Sequence, residues 1–234
     1  MIKKDLQNMP TNVKAVLVDI DDTLLDFDRS SYKAMKNCIQ RLNVPFDDNM
    51  FAVFKRINKG LWKKVENGEI SSRQLFDTRW GIIFEELGIT ADGIKFERDF
   101  TDELFWIAEL VDDAEDVLSY LKSKYVVAAA SNAQYAQQIN RLKISGLYPY
   151  FDYLFMSEDL GVSKPSTQFF DKCVEKLNVD KGNVVMIGDS LFADIGGAKN
   201  SGISAIWFDK KNCGKQSPLP DVSISLLSEI KNIL

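Results

Sequence analysis

From Asp112 onward the sequence alternates short apolar runs with helix-length amphipathic stretches, and this alternation restricts the fold more than any other feature. Strands are expected at Tyr125–Ala130, Tyr153–Met156, Val184–Ile187 and Ala205–Phe208. Helices fall between them near Ala114–Ser123, Ala133–Leu142, Thr167–Leu177 and Phe192–Asn200. Such repetition builds a mostly parallel sheet with helices on both faces. Upstream the period is helical throughout, over Ser30–Leu42, Asn49–Glu66, Ser72–Leu87 and Gly93–Glu109, with breaks at Val44-Pro45, Asn67-Gly68 and Leu87-Gly88-Ile89. Ser71 and Gln74 are spaced as a capping box and mark one helix start. A further apolar run, Ala15–Val18, precedes the helical stretch and has no strand partner nearby, so it should join the later sheet. The expected architecture is an α/β, Rossmann-like core made of residues 1–26 and 111–234, interrupted by a small helical domain over 27–110.

The stretch AVLVDIDDTLLDF, Ala15 to Phe27, runs a buried-type strand directly into Asp19, Asp21, Asp22 and Thr23. Carboxylates at a strand end are costly to bury unless something cationic compensates them. In open parallel sheets ligands bind beyond the carboxyl ends of the strands, so each residue following a strand is a candidate. After Tyr125–Ala130 come Ser131 and Asn132; the next strand leads into SEDLGVSKP with Lys164; Val184–Ile187 leads into GDSLFAD with Asp189 and Asp194. Asp19, Asp21 and Asp189 would repel one another, and an oxygen-ligating dication is the natural remedy. Mg²⁺ favours a few carboxylates, waters and phosphate oxygens over a full protein cage. Lys164, the Ser131 hydroxyl and neighbouring backbone N–H groups suit anionic oxygens. The set therefore points to phosphoryl chemistry, with a metal relieving charge repulsion.

Composition removes the competing chemistries. The 234 residues include no histidine, which excludes Ser-His-Asp and Cys-His catalysis and histidine-ligated zinc. The net charge of −5 argues against a nucleic-acid polymer or an anionic membrane as partner. No apolar run approaches the roughly 20 residues of a membrane span, and MIKKDLQNMPTN lacks the apolar stretch of a signal peptide. Cys38, Cys173 and Cys213 make neither a metal spacing nor a disulfide framework. A cytoplasmic protein, monomeric or homodimeric, acting on a small phosphorylated molecule is expected.

DIDDT, SN, KP and GDSLFAD, in that order and each at an expected strand end, resemble the four motifs of the haloacid dehalogenase-like (HAD) superfamily of phosphohydrolases. The helical insertion stands where that family carries a small cap domain. The resemblance implies Asp19 as the nucleophile that forms an aspartyl-phosphate, and Asp21 as the acid that protonates the leaving oxygen and then activates water. It implies Mg²⁺ held by Asp19, the backbone carbonyl of Asp21, and Asp189, with Asp194 and Thr23 supporting. Ser131, Asn132 and Lys164 match the phosphate-binding groups. Some positions depart from the pattern: Asp22 stands where many members carry glycine, Ala193 where a polar residue is frequent, and LVDDAEDVL lacks the usual Pro-Gly. The insertion segment INKGLWKKVENGEISSRQLFDTRW is similar to the cap of bacterial pyrimidine-nucleotide 5′-nucleotidases.

Blander readings apply to several of these residues. Asp194 would also suit the N-terminal end of a helix. Trp62, Phe76, Trp80 and Phe84 recur at helical spacing and are expected to form the insertion's own core. Phe27 and Trp62 are alternatively placed to stack on a base, and Asn58 and Arg79 to read its polar edge. Asp209-Lys210-Lys211 reads as a solvated turn. A phosphatase or mutase of sugar phosphates is the alternative function. A phospho-aspartate signalling receiver is more remote, because receivers are shorter and lack the insertion. A dehalogenase proper needs neither Mg²⁺ nor an acid at Asp21.

Overall fold

The computed structural model describes residues 9–210, 212–214 and 220–234. The chain divides into two compact units, one comprising Met1–Asp26 with Glu109–Leu234, the other Phe27–Ala108. The first is built on a parallel sheet of six strands in the order β3-β2-β1-β4-β5-β6. These are β1 (Ala15–Val18), β2 (Val126–Ser131), β3 (Tyr153–Met156), β4 (Val184–Gly188), β5 (Ser204–Phe208) and β6 (Val222–Ile224). The isolated apolar run of the sequence is the central strand: Ala15 lies opposite Val126 on one side and Val184 on the other. All four β1 residues are buried, as a central strand covered on both faces requires. On one face Ala15 and Leu17 pack with Phe155, Phe169, Phe170, Met186 and Ile195.

Helices α5 (Ala114–Lys122), α6 (Tyr135–Ile144), α7 (Ser157–Leu160), α8 (Thr167–Leu177) and α9 (Gly197–Asn200) belong to the same unit. Two features differ from expectation. The three-residue strand β6 is too short to show a period, and it exists through pairing with β5. The helix expected at Phe192–Asn200 is a π-type turn over Leu191–Gly196 running into α9. Its extra residue shows in the bond from Ile195 N–H to Ser190 O, 3.1 Å, five residues back. Such bulges gather at functional sites, and this one carries Asp194.

The helical unit contains α1 (Phe27–Arg41), α2 (Asp48–Glu66), α3 (Ser72–Leu87) and α4 (Gly93–Phe105). Phe54, Trp80, Phe84, Phe96 and Phe100 form its aromatic centre, with Trp80 and Phe96 rings 4.4 Å apart, edge to face. The capping box is present: Gln74 N–H donates to Ser71 Oγ at 3.2 Å and Ser71 N–H to Gln74 Oε1 at 2.8 Å. Helix α4 stops at Phe105, short of the expected Glu109, because the chain there re-enters the α/β unit. Asp26 N–H donates to Glu109 O (2.8 Å), Val111 N–H donates to Leu24 O (2.9 Å), and Leu25 bridges Leu110 antiparallel. Glu109 and Leu110 accordingly belong with the α/β unit rather than with the insertion.

Candidate active site

Strand order reverses at β1, whose neighbours are β2 and β4, so the carboxyl ends of these strands lie side by side. That switch point is where an open α/β sheet binds its ligands. Asp19 leaves β1 there, its N–H still bonded to Ile187 O of β4 at 2.9 Å. Immediately afterwards the chain turns tightly, with Leu24 and Leu25 N–H both donating to Ile20 O. Asp22 sits in this turn at φ 59°. A left-handed conformation suits glycine best and aspartate tolerably, so the turn accommodates Asp22.

Lys164, 2 % exposed, reaches the end of β1 from the segment after β3. Its ammonium has three donors and three oxygens take them: Asp19 Oδ1 at 2.7 Å, Asp194 Oδ1 at 2.6 Å and the Ala130 carbonyl at 2.6 Å. Asp194 is held in turn by Ser190 N–H at 3.1 Å. Thr23, fully buried, points its hydroxyl at Asp19 Oδ2, 3.4 Å away. Gly188 ends β4 so close to Asp194 that a Cβ there would collide with the carboxylate. Asp189, half-buried, follows directly, and its carbonyl accepts from Trp207 Nε1 at 2.8 Å.

Burial pushes the Asp19 carboxyl up to about 8; Lys164 opposes this, while Asp194 and Asp21 add to it. Burial likewise raises Asp189 well above the carboxylate range, helped by Asp19, Asp22 and Asp194. Burial works against the charge on Lys164, but Asp19 and Asp194 outweigh it and raise its pKa. Three carboxylates against one ammonium leave a formal excess of two negative charges. Carboxylate oxygens of Asp19, Asp189 and Asp194 lie within 4.8 Å of one another. Hard oxygen donors, close spacing and that excess charge fit a small dication such as Mg²⁺.

The other expected residues take several places. Ser131, buried at the end of β2, accepts from Ala133 N–H at 3.1 Å and Gln138 Nε2 at 3.2 Å. The Asn132 side chain is occupied by the backbone of Lys164, donating to its carbonyl and accepting from its N–H, both at 2.9 Å. Asn132 thus holds the lysine loop in place. Asp21 turns its carboxylate toward α6, where Arg141 Nη1 meets Oδ1 at 2.6 Å and Gln138 Nε2 meets Oδ2. Neither Gln138 nor Arg141 is evident from the sequence. Their only signal is a three-residue spacing on an amphipathic helix beginning just after SN, and surface helices commonly have such spacing. In the helical unit Arg79 forms a two-pronged pair with Glu97, at 2.6 and 3.1 Å, and donates to Asn58 Oδ1 at 2.8 Å. All three are buried. Phe27 and Trp62 lie half-buried against the aromatic centre, Trp62 edge-on to Phe76 at 6.1 Å. The charge run at Asp209 is not fully solvated: Asp209 is buried, Lys210 pairs with Asp26 at 2.7 Å, and Lys211 lies outside the described residues.

Acids, a buried lysine and a hydroxyl gathered on the carboxyl edge of a parallel sheet make this an α/β protein with a site suited to phosphoryl chemistry. Residues 13–202 match the family model of the haloacid dehalogenase-like hydrolases. The chain belongs to that family. It is 32% identical over 225 residues to the HAD-hydrolase YfnB of Bacillus subtilis, covering 94% of this chain and 95% of YfnB. The crystal structure of YfnB bound to magnesium superposes with a TM-score of 0.90 over 96% of this chain and 99% of that one. Two further relatives are the pyrimidine 5′-nucleotidases PynA of Streptococcus pneumoniae and YjjG of Escherichia coli. PynA is 35% identical, covering 84% of each chain, and YjjG 29% identical, covering 94% of this chain and 96% of its own. Among the described residues no helix is long and apolar enough to cross a membrane.

Proposed function

We propose that the protein is a magnesium-dependent phosphatase that passes the phosphoryl group through Asp19, and that its substrates are pyrimidine nucleoside 5′-monophosphates. The observation that carries the reading is Asp19 itself: a carboxylate at the switch point, bonded to a buried lysine and grouped with Asp189 and Asp194. Asp19 and Asp189, with the Asp21 carbonyl, would hold Mg²⁺, which when bound neutralises charge between the carboxylates and the phosphoryl oxygens. Lys164 holds Asp19 in place and adds a positive charge beside the transferring group, the kind of fixed electrostatic stabilisation that lowers such barriers most. Asp194 anchors Lys164. Ser131 Oγ donates to a phosphoryl oxygen.

As the Asp19 oxygen bonds to phosphorus, the ester P–O bond breaks and the Asp21 carboxyl gives its proton to the departing oxygen. The same Asp21, now a carboxylate, takes a proton from the water that cleaves the aspartyl-phosphate, restoring both groups. The inserted helical unit, a cap in this reading, supplies substrate selection. The names of PynA and YjjG support the nucleotide assignment.

Sugar phosphates are the second reading, because Asn58 and Arg79, the polar groups suited to a base edge, are engaged with each other and with Glu97. The test is kcat/KM with Mg²⁺ for dUMP, UMP and dTMP against AMP, GMP and hexose phosphates. A pyrimidine preference is expected. Sugar phosphates ahead by about tenfold, roughly 1.4 kcal/mol, reject the nucleotidase assignment and leave the phosphatase standing.

A further inference from the structure

We propose that Arg141 and Gln138 are positioning residues that set the Asp21 carboxylate for proton transfer to the leaving group. This rests on the reading of Asp21 as the acid above. The two side chains lie one turn apart on the buried face of α6, Arg141 1% exposed and Gln138 fully buried. Each takes a different oxygen of Asp21: Arg141 Nη1 meets Oδ1 at 2.6 Å, and Gln138 Nε2 donates to Oδ2. Two donors on two oxygens fix the plane of the carboxyl as well as its distance. Gln138 Nε2 also donates to Ser131 Oγ at 3.2 Å, while Gln138 Oε1 accepts from Arg141 Nη1 at 3.3 Å. This amide orientation satisfies all of those contacts, and the flipped one would oppose oxygen to oxygen. The result is a continuous chain from the arginine to the leaving-group acid and the phosphoryl-binding hydroxyl.

A purely structural reading explains this poorly. A buried cation adds little net stability even when well paired. Here the partner carboxylate remains 29% exposed. A guanidinium buried to hold a partly exposed acid makes sense where that acid needs one orientation, since general acid catalysis requires the donor within hydrogen-bond reach of the leaving atom.

The test is a leaving-group comparison. An alkyl phosphate leaves as a strongly basic alkoxide and needs the proton, whereas p-nitrophenyl phosphate leaves as a stable phenolate and does not. The quantity is kcat/KM, which covers the steps up to release of the leaving group. It is measured for p-nitrophenyl phosphate and for whichever nucleotide or sugar phosphate the enzyme turns over best. Arg141→Lys and Gln138→Leu should each lower the alkyl value by about 30-fold and the aryl value by less than about threefold, within the span that general acid catalysis contributes. Equal loss on both esters in a folded variant, or no loss on either, overturns the proposal. Gln138→Leu keeps the side-chain volume and carries the comparison should the arginine variant not fold. Asp21→Asn is the reference. Should it show no dependence on leaving group, the acid reading itself fails. Should it show that dependence while the α6 variants do not, only this proposal fails.

Discussion

Raising the pH from about 5.5 to about 7.5 in EDTA should destabilise this protein, and the size of the loss follows from proton linkage. Asp19, ordinarily near 3.8, is raised to about 8 in the folded metal-free chain, chiefly by burial. The folded chain therefore keeps a proton that the unfolded chain has already released. Stability from this group is fully present below about pH 4 and is lost as the pH climbs through about 8. One extra proton in the folded state costs about 1.4 kcal/mol per pH unit, so two units remove roughly 3 kcal/mol. Asp189 is shifted in the same direction by burial and its acidic neighbours, which adds to the loss. Against a typical stability of about 5–15 kcal/mol the effect is large. The chain has no histidine, so no ordinary side chain titrates across this window to obscure it. Saturating Mg²⁺ should displace the protons and flatten the slope. The assay is urea unfolding at several pH values in EDTA and in excess Mg²⁺. A flat profile in EDTA, or the same slope with and without the metal, would refute the charge argument for the site.

Three further outcomes are expected. Gly188→Ala should push Asp194 off Lys164 and Ser190, lowering kcat by about a hundredfold while costing only about 1–3 kcal/mol in urea; full activity would show that the position of Asp194 is immaterial. Arg79→Met strands the buried Glu97 carboxylate, raised by burial even beside its partner. It should cost about 3–5 kcal/mol, and adding Glu97→Leu should recover most of that, measured by urea midpoints of both variants. Ser71→Ala removes one half of the capping box on α3 and should cost about 1 kcal/mol by thermal unfolding, with kcat unchanged.

Much of the architecture was legible because it depends on periodicity. The strand at Ala15–Val18, the start of α3 at its capping box and the strand–helix alternation after Asp112 are local patterns, each readable within a dozen residues or so. Strand ends then pointed to Asp19, Ser131, Lys164 and Asp189, since a parallel sheet directs all its carboxyl ends to one edge. What was not legible depends on partners distant in sequence. Strand β6 exists through β5, the π turn around Asp194 accompanies a lysine thirty residues upstream, and α4 ends early because Asp26 and Leu24 claim the chain beyond it.

The sequence by itself determined the chemical inventory: which acids, which cation, no histidine, and the order in which strands would deliver them. Tertiary structure decided how that inventory is used. It gave Asn132 to the backbone of Lys164, Arg79 and Asn58 to Glu97, and the carboxylate of Asp21 to Gln138 and Arg141. The physical reason is that a buried polar group must find a partner wherever packing leaves one within reach. The contact between Asp21 and Arg141 spans 120 residues of sequence, and no local pattern records it.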